Sequence, residues 1–117
     1  MSDESNKFRK NERVQKKKDF NNIFGNGKII RGRYYFCRYL PNNLSSNRIG
    51  IIVRKKIGNS TERNYEKRII REFFRTKKHR LKNSYDLVFS LLQRNGSYLE
   101  KKEEFEKLLS KIEQHAN

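Results

Sequence analysis

The hydrophobic positions of this 117-residue chain change period several times, and each change marks an element. Phe20, Ile23 and Phe24 fall at i, i+3 and i+4, with Gly25 and Gly27 behind them, which predicts a short helix carrying an aromatic stripe. From Lys28 to Leu40 the side chains turn β-branched and aromatic, and Pro41-Asn42-Asn43 ends the run, so a strand is expected. Its alternation places Tyr34, Phe36 and Arg38 on one face and Tyr35, Cys37 and Tyr39 on the other. The face with Arg38 is the one expected to meet a ligand. A second strand, 48–54, follows a Ser/Asn loop that suits an antiparallel hairpin.

Beyond the basic turn Lys55-Lys56-Ile57-Gly58-Asn59, Asn59 can cap a helix and Glu62 completes an approximate capping box. The helix, expected over about 60–81, has Tyr65, Ile69, Ile70, Phe73 and Phe74 on one stripe, with Leu81 near its end. Arg63, Lys67, Arg71 and Arg75 form a cationic ridge, joined by Asn64, Arg68 and Lys78. The nearly continuous apolar run 85–92 has the length of a central strand, and Asn95-Gly96 marks a turn. A last amphipathic helix, about 98–114, carries Phe105, Leu108, Leu109 and Ile112. The order α-β-β-α-β-α, with room for one more short strand, gives an α/β (α+β) two-layer sandwich in a single domain, 1–117. Residues 1–13 are polar and aperiodic and read as a mobile or loosely bound basic arm.

Composition sharpens this picture through the placement of charge. The net charge is +16, but residues 1–82 hold 24 Lys/Arg against 7 Asp/Glu, whereas 83–117 hold 5 against 6. An excess confined to particular segments is the mark of a surface that meets polyanionic phosphate. Cys37 has no partner for a disulfide and sits among apolar residues, as a buried thiol in a reducing cytoplasm would. The first residues lack the apolar run of a signal peptide, and no stretch approaches the length of a membrane span, so no membrane partner is expected.

The sequence offers little catalytic chemistry. His79 and His115 lie far apart, no His/Cys/Asp/Glu spacing resembles a metal site, and no acid/base pair, triad or phosphate loop is present. Asp19, Glu62, Glu66, Glu72 and Asp86 stand mostly among Lys/Arg and read as surface ion pairs. The segment 54–82, with 12 Lys/Arg and 3 Glu, is the strongest signal, because like charges at i, i+4 repel unless a partner neutralises them. Phe20 and Phe24 taken alone would read as core. Together with the Tyr34, Phe36 and Arg38 face and the basic helix, they could line a groove for an unpaired strand, with bases on rings and phosphates on Lys/Arg.

The run Lys55-Lys56-Ile57-Gly58-Asn59, followed by Arg63-Asn64-Tyr65-Glu66-Lys67-Arg68-Ile69-Ile70-Arg71, closely resembles the signature of the protein subunit of bacterial ribonuclease P. Asp19-Phe20 with Phe24, and Arg48-Ile49-Gly50, match further parts of the pattern in the same order, so the resemblance covers about residues 8–113. It implies a left-handed β-α-β crossover and a protein bound to a large catalytic RNA that performs the hydrolysis. The first helix and the sheet would then hold the single-stranded 5′ leader of precursor tRNA, through Phe20, Phe24, Tyr34, Phe36 and Arg38. Lys55, Lys56, Arg63, Asn64, Lys67, Arg68 and Arg71 would contact the catalytic RNA. Mg²⁺ would be held mainly by RNA and substrate phosphates, no protein partner would be required, and the protein would be an accessory subunit of an endoribonuclease. Two positions depart from the pattern: Tyr65 replaces the second Arg of the helix signature, and Arg38 stands where an aromatic residue is common. The competing readings are a structural RNA-binding protein of ribosomal type and a DNA-binding protein, the latter without a clear helix-turn-helix.

Overall fold

The computed structural model describes residues 12–115. In chain order these form α1 (Lys17–Asn26), β1 (Lys28–Arg31), β2 (Tyr35–Pro41), β3 (Arg48–Ile52), α2 (Ser60–Lys77), β4 (Tyr85–Leu91) and α3 (Tyr98–His115). The strands build one mixed sheet in the order β1-β2-β4-β3. β2 pairs antiparallel with both β1 and β4, while β3 and β4 run parallel. The expected α+β class is what is found.

Two expectations about the strands are corrected. The run 28–40 is two strands, β1 and β2, and the break between them is held from α3. The Glu104 carboxylate accepts the backbone N–H groups of Arg33, Tyr34 and Tyr35 at 2.6, 2.8 and 2.8 Å. Gly32 marks the break within the run: a Cβ on it would collide with the Glu104 carboxyl carbon. Nor does β3 form a hairpin with β2, because β4 lies between them. β4 is apolar on both faces and takes the centre, and β3 reaches it through α2, as a parallel pair requires. The polar loop after β2 ties down the start of β4: Asn42 donates to Asp86 at 2.9 Å, and Asn47 accepts the Tyr85 N–H at 2.7 Å.

One sheet face, with Tyr35, Cys37, Tyr39, Ile49, Leu87 and Phe89, meets α2 and α3. Their contribution is Ile69, Ile70, Phe73 and Phe74 from α2, and Phe105, Leu108, Leu109 and Ile112 from α3, the stripe expected. Phe105 is the hinge of this packing, stacked on Phe89 at 4.6 Å and tilted against Phe73 at 5.6 Å. Each such side chain contributes about 1.5–3 kcal/mol by leaving water. Burial pushes the Cys37 thiol pKa up, so it packs as a neutral hydrophobe.

The second helix begins with the full capping box: Asn59 accepts the Glu62 N–H at 2.8 Å, and Glu62 accepts the Asn59 N–H at 2.9 Å. It ends at Lys77, short of the expected 81, and a 3-10 turn, Lys78–Arg80, leads to buried Leu81. Tyr65 does not lie on the core stripe; the helix turns it outward and places Glu66 inward instead. Glu66 is only 3 % exposed and accepts from Lys101 at 3.0 and 3.2 Å, while the same ammonium donates to the Arg94 carbonyl at 2.8 Å. Asp86 is also buried, facing Arg48. These two carboxylates are therefore internal pairs and not surface ones, because their partners come from other elements of the fold. The expected arm 1–13 lies mostly outside the described residues. Within them, Val14 donates to the Ile49 carbonyl at 3.0 Å and Glu12 pairs with Lys78 at 2.5 Å, so the chain from Glu12 is already docked on β3 and on the 3-10 turn that follows α2.

Candidate nucleic-acid interface

The opposite sheet face is only partly covered, and strand register shows by what. Three rows of side chains cross it: Leu40, Asp86 and Arg48; then Ile29, Arg38, Val88 and Gly50; then Arg31, Phe36, Ser90 and Ile52. α1 is anchored over the first two. Arg48 grips Asp86 with two hydrogen bonds, 2.7 and 2.6 Å, and reaches Asp19 of α1 at 3.4 Å. The Asp86 contact above all raises the Arg48 pKa and keeps the guanidinium charged. Ile23 of α1 is buried with Val14 and Val88, and Phe20 and Ile52 pack against that small cluster.

The third row stays open and forms the floor of a groove of about 460 Å³. Phe24, Phe36 and Arg38 line it together with Arg31, Ile52, Arg54, Lys56 and the end of β4. Phe24 is 42 % exposed at its rim. The Arg38 guanidinium lies 5.3 Å from the Phe24 ring centre and 5.2 Å from that of Phe36, and donates to the Phe24 carbonyl at 3.4 Å. Rings and guanidinium thus form one flat-sided assembly. Four cations and no carboxylate line this groove among the described residues. A polyanion with flat bases fits such a lining.

The residues expected to share this face do not all do so. Tyr34 is buried on the other side, its carbonyl accepting the Leu92 N–H at 2.7 Å and its ring against Gly96. The alternation fails there because β2 begins only at Tyr35. Gly96, at φ 111°, leaves room for that ring: a Cβ on it would lie 2.5 Å from Tyr34 Cε1. Phe20 touches Phe24, at 6.1 Å between ring centres, but turns toward the edge of β3. There it lines a separate hollow with Arg13, Lys67 and Arg71.

Of the basic turn and helix, Lys56 joins the groove, and Lys55 stands exposed on the same 3-10 turn. Arg63 is half-buried and donates to the Gly58 carbonyl and Ser60 hydroxyl, both at 3.2 Å, so part of its capacity holds the turn. Asn64, Arg68 and Arg71 are exposed, and Lys67 is half-buried beside the hollow. The expected contacts therefore fall into a groove set and a helix set, with Lys56 in the first. Arg31 and Arg54 line the groove without having been singled out. Arg31 stands opposite Phe36 in the register, a signal visible only once β1 and β2 are separated. Arg54 follows Ile52 at strand spacing, which could have placed it. Among the described residues no group of three or more His, Cys, Asp or Glu side chains could hold a metal ion, and no helix is long and apolar enough to cross a membrane.

Comparisons with known proteins bear on the family and the fold. The family model described as Ribonuclease P matches residues 8–113. The chain is 38% identical over 101 residues to the ribonuclease P protein component of Caldanaerobacter subterraneus subsp. tengcongensis, covering 85% of this chain and 87% of that one. Its fold matches the ribonuclease P protein of Thermotoga maritima with a TM-score of 0.77 at 30% identity, covering 86% of this chain and 96% of the other. That of Staphylococcus aureus matches with the same TM-score at 28% identity, covering 86% and 94%. Sequence signature, sheet order and family match converge on one conclusion: the chain belongs to the ribonuclease P protein family.

Proposed function

We propose that this protein is the RNA-binding subunit of ribonuclease P, assisting a catalytic RNA in the endonucleolytic removal of the 5′ leader from precursor tRNA. The observation that carries the reading is the uncovered third row of the sheet, an aromatic floor ringed by Arg31, Arg38, Arg54 and Lys56. The single-stranded leader lies in that groove, its bases against Phe24, Phe36 and the Arg38 plane and its phosphates at the surrounding cations. The helix set, Arg63, Asn64, Lys67, Arg68 and Arg71, with Lys55, faces the catalytic RNA. Hydrolysis belongs to the RNA; Mg²⁺ would be held there by RNA and substrate phosphates and would supply the metal chemistry, with no side chain of this protein as its ligand. The protein's part is to bind the leader and to lower phosphate repulsion, through the cations that line the groove and α2. Such a subunit works in the cytoplasm and needs no second protein. The ribosomal-type alternative is not favoured, because the relatives are ribonuclease P protein components.

The test is the affinity of the reconstituted holoenzyme for precursor tRNA with and without its leader. The protein should strengthen binding of the leader-bearing form and leave the leaderless form nearly unchanged. Equal strengthening of both would remove the leader from the groove.

A further inference from the structure

Tyr65 is the one aromatic residue of α2 that the fold turns outward. It is 46 % exposed, whereas Phe73 and Phe74 of the same helix are buried. The Arg68 guanidinium lies 5.9 Å from the centre of its ring. Tyr65 and Lys67 are two residues apart and so about 200° apart around the helix. Lys67 lines the hollow beside Phe20, whose ring touches Phe24 at the groove rim, so by helical geometry Tyr65 falls on the other flank of α2. Arg68 and the preceding Asn64 are exposed, and Glu62, one turn back, is paired with Arg94, so the surroundings of the ring are polar, with the Arg68 charge against it. An apolar protein partner finds little there, whereas a nucleobase finds a ring face, a guanidinium plane and positive charge for its phosphate.

We propose that Tyr65 and Arg68 form a second stacking site, which takes an unpaired base of the ribonuclease P RNA on the flank of α2 facing away from the leader groove. This rests on the reading of α2 as the face for the catalytic RNA. It makes Tyr65 a base contact in a helix whose Lys67 and Arg71 serve phosphates. Stacking and phosphate contacts respond differently to salt: loss of a phosphate contact flattens the salt dependence of binding, and loss of a stacked base does not.

The experiment measures affinity for the cognate ribonuclease P RNA alone, without substrate, across a salt series. The variants are Tyr65→Phe, Tyr65→Leu, Tyr65→Ala and Arg71→Ala, each checked for an unchanged thermal midpoint. Tyr65→Phe should bind as the parent does. Tyr65→Leu and Tyr65→Ala should bind about 5- to 150-fold more weakly, with the salt slope unchanged, as loss of one stacked base requires. Arg71→Ala should weaken binding and flatten the slope. If Tyr65→Leu and Tyr65→Ala bind like the parent while Arg71→Ala is weakened, the stacking site is overturned and the wider reading of α2 stands. If Arg71→Ala also binds like the parent, the reading of α2 as an RNA face falls, and the stacking site with it. A loss at Tyr65 that appears only when precursor tRNA is added would likewise overturn the assignment to the catalytic RNA.

Discussion

The ring of Phe20 occupies the space that a side chain at position 50 would need: a Cβ on Gly50 would lie 2.7 Å from Phe20 Cε1. The neighbouring pair, Asp19 and Arg48, closes the same joint at 3.4 Å. The Asp19-Phe20 and Arg48-Ile49-Gly50 motifs are therefore two halves of one contact that seats α1 on the sheet and leaves the next row bare. Gly50→Ala should overpack this joint and destabilise the protein by about 1–3 kcal/mol. Phe20→Ala, which leaves a hole beside Ile23 and Val88, should cost about 2 kcal/mol. Urea unfolding midpoints of the two variants test both values, and parent-like midpoints would mean that the joint does not hold α1.

Phe24 offers the contrasting case. Being at the groove rim and largely exposed, Phe24→Ala should leave the unfolding midpoint unchanged while weakening holoenzyme binding of leader-bearing precursor tRNA by about 5- to 150-fold, the loss of one stacked base. Arg38→Ala should weaken the same binding and also flatten its salt dependence, since the guanidinium supplies charge as well as a plane. Titrations of both variants against leader-bearing and leaderless tRNA separate these effects.

Elements with strong periodicity were legible in the sequence, and so was the signature. The stripe of α3, the core of α2 from Ile69 to Phe74 and the capping box at Asn59 and Glu62 lie where local pattern puts them, whereas Tyr65, expected on that core stripe, turns outward. What the pattern could not show depends on partners from elsewhere in the chain. Glu104 splits the aromatic run 28–40 from the far end of the fold, and once it is split, Tyr34 leaves the groove and Arg31 enters it. The insertion of β4 between β2 and β3 follows from burial on both its faces, which an apolar run suggests but does not place in a sheet order. Glu66 and Asp86 look like surface charges among Lys/Arg until Lys101 and Arg48 are brought to them.

The Glu66 pair makes its own prediction. Lys101→Met removes the partner of a buried carboxylate and should destabilise by about 3–5 kcal/mol, whereas Glu66→Leu combined with Lys101→Met should recover much of that loss. Chemical unfolding of the single and double variants checks the coupling. Equal losses in both would show that packing and not charge holds α2 to α3 at this point.

Acid should weaken the cap of α2. The Asn59 backbone N–H, and then Arg94, hold the Glu62 carboxyl below the ordinary carboxylate range. A depressed folded pKa means that the stabilisation is complete above about pH 5 and is lost as pH falls below about 4, through the folded value. Glu62→Gln keeps an acceptor for the Asn59 N–H but cannot titrate. The stability difference between parent and variant should therefore be constant near neutrality and shrink in acid, as urea midpoints at pH 7 and pH 3 would show. A difference independent of pH would assign the effect to the hydrogen bond alone.

The most direct test of the whole account is cleavage of precursor tRNA by the cognate ribonuclease P RNA at low Mg²⁺, with and without this protein. The protein should restore cleavage at the mature 5′ end under conditions where the RNA alone is nearly inactive. An RNA that cleaves no faster with the protein bound would contradict the assignment of this chain as its working subunit.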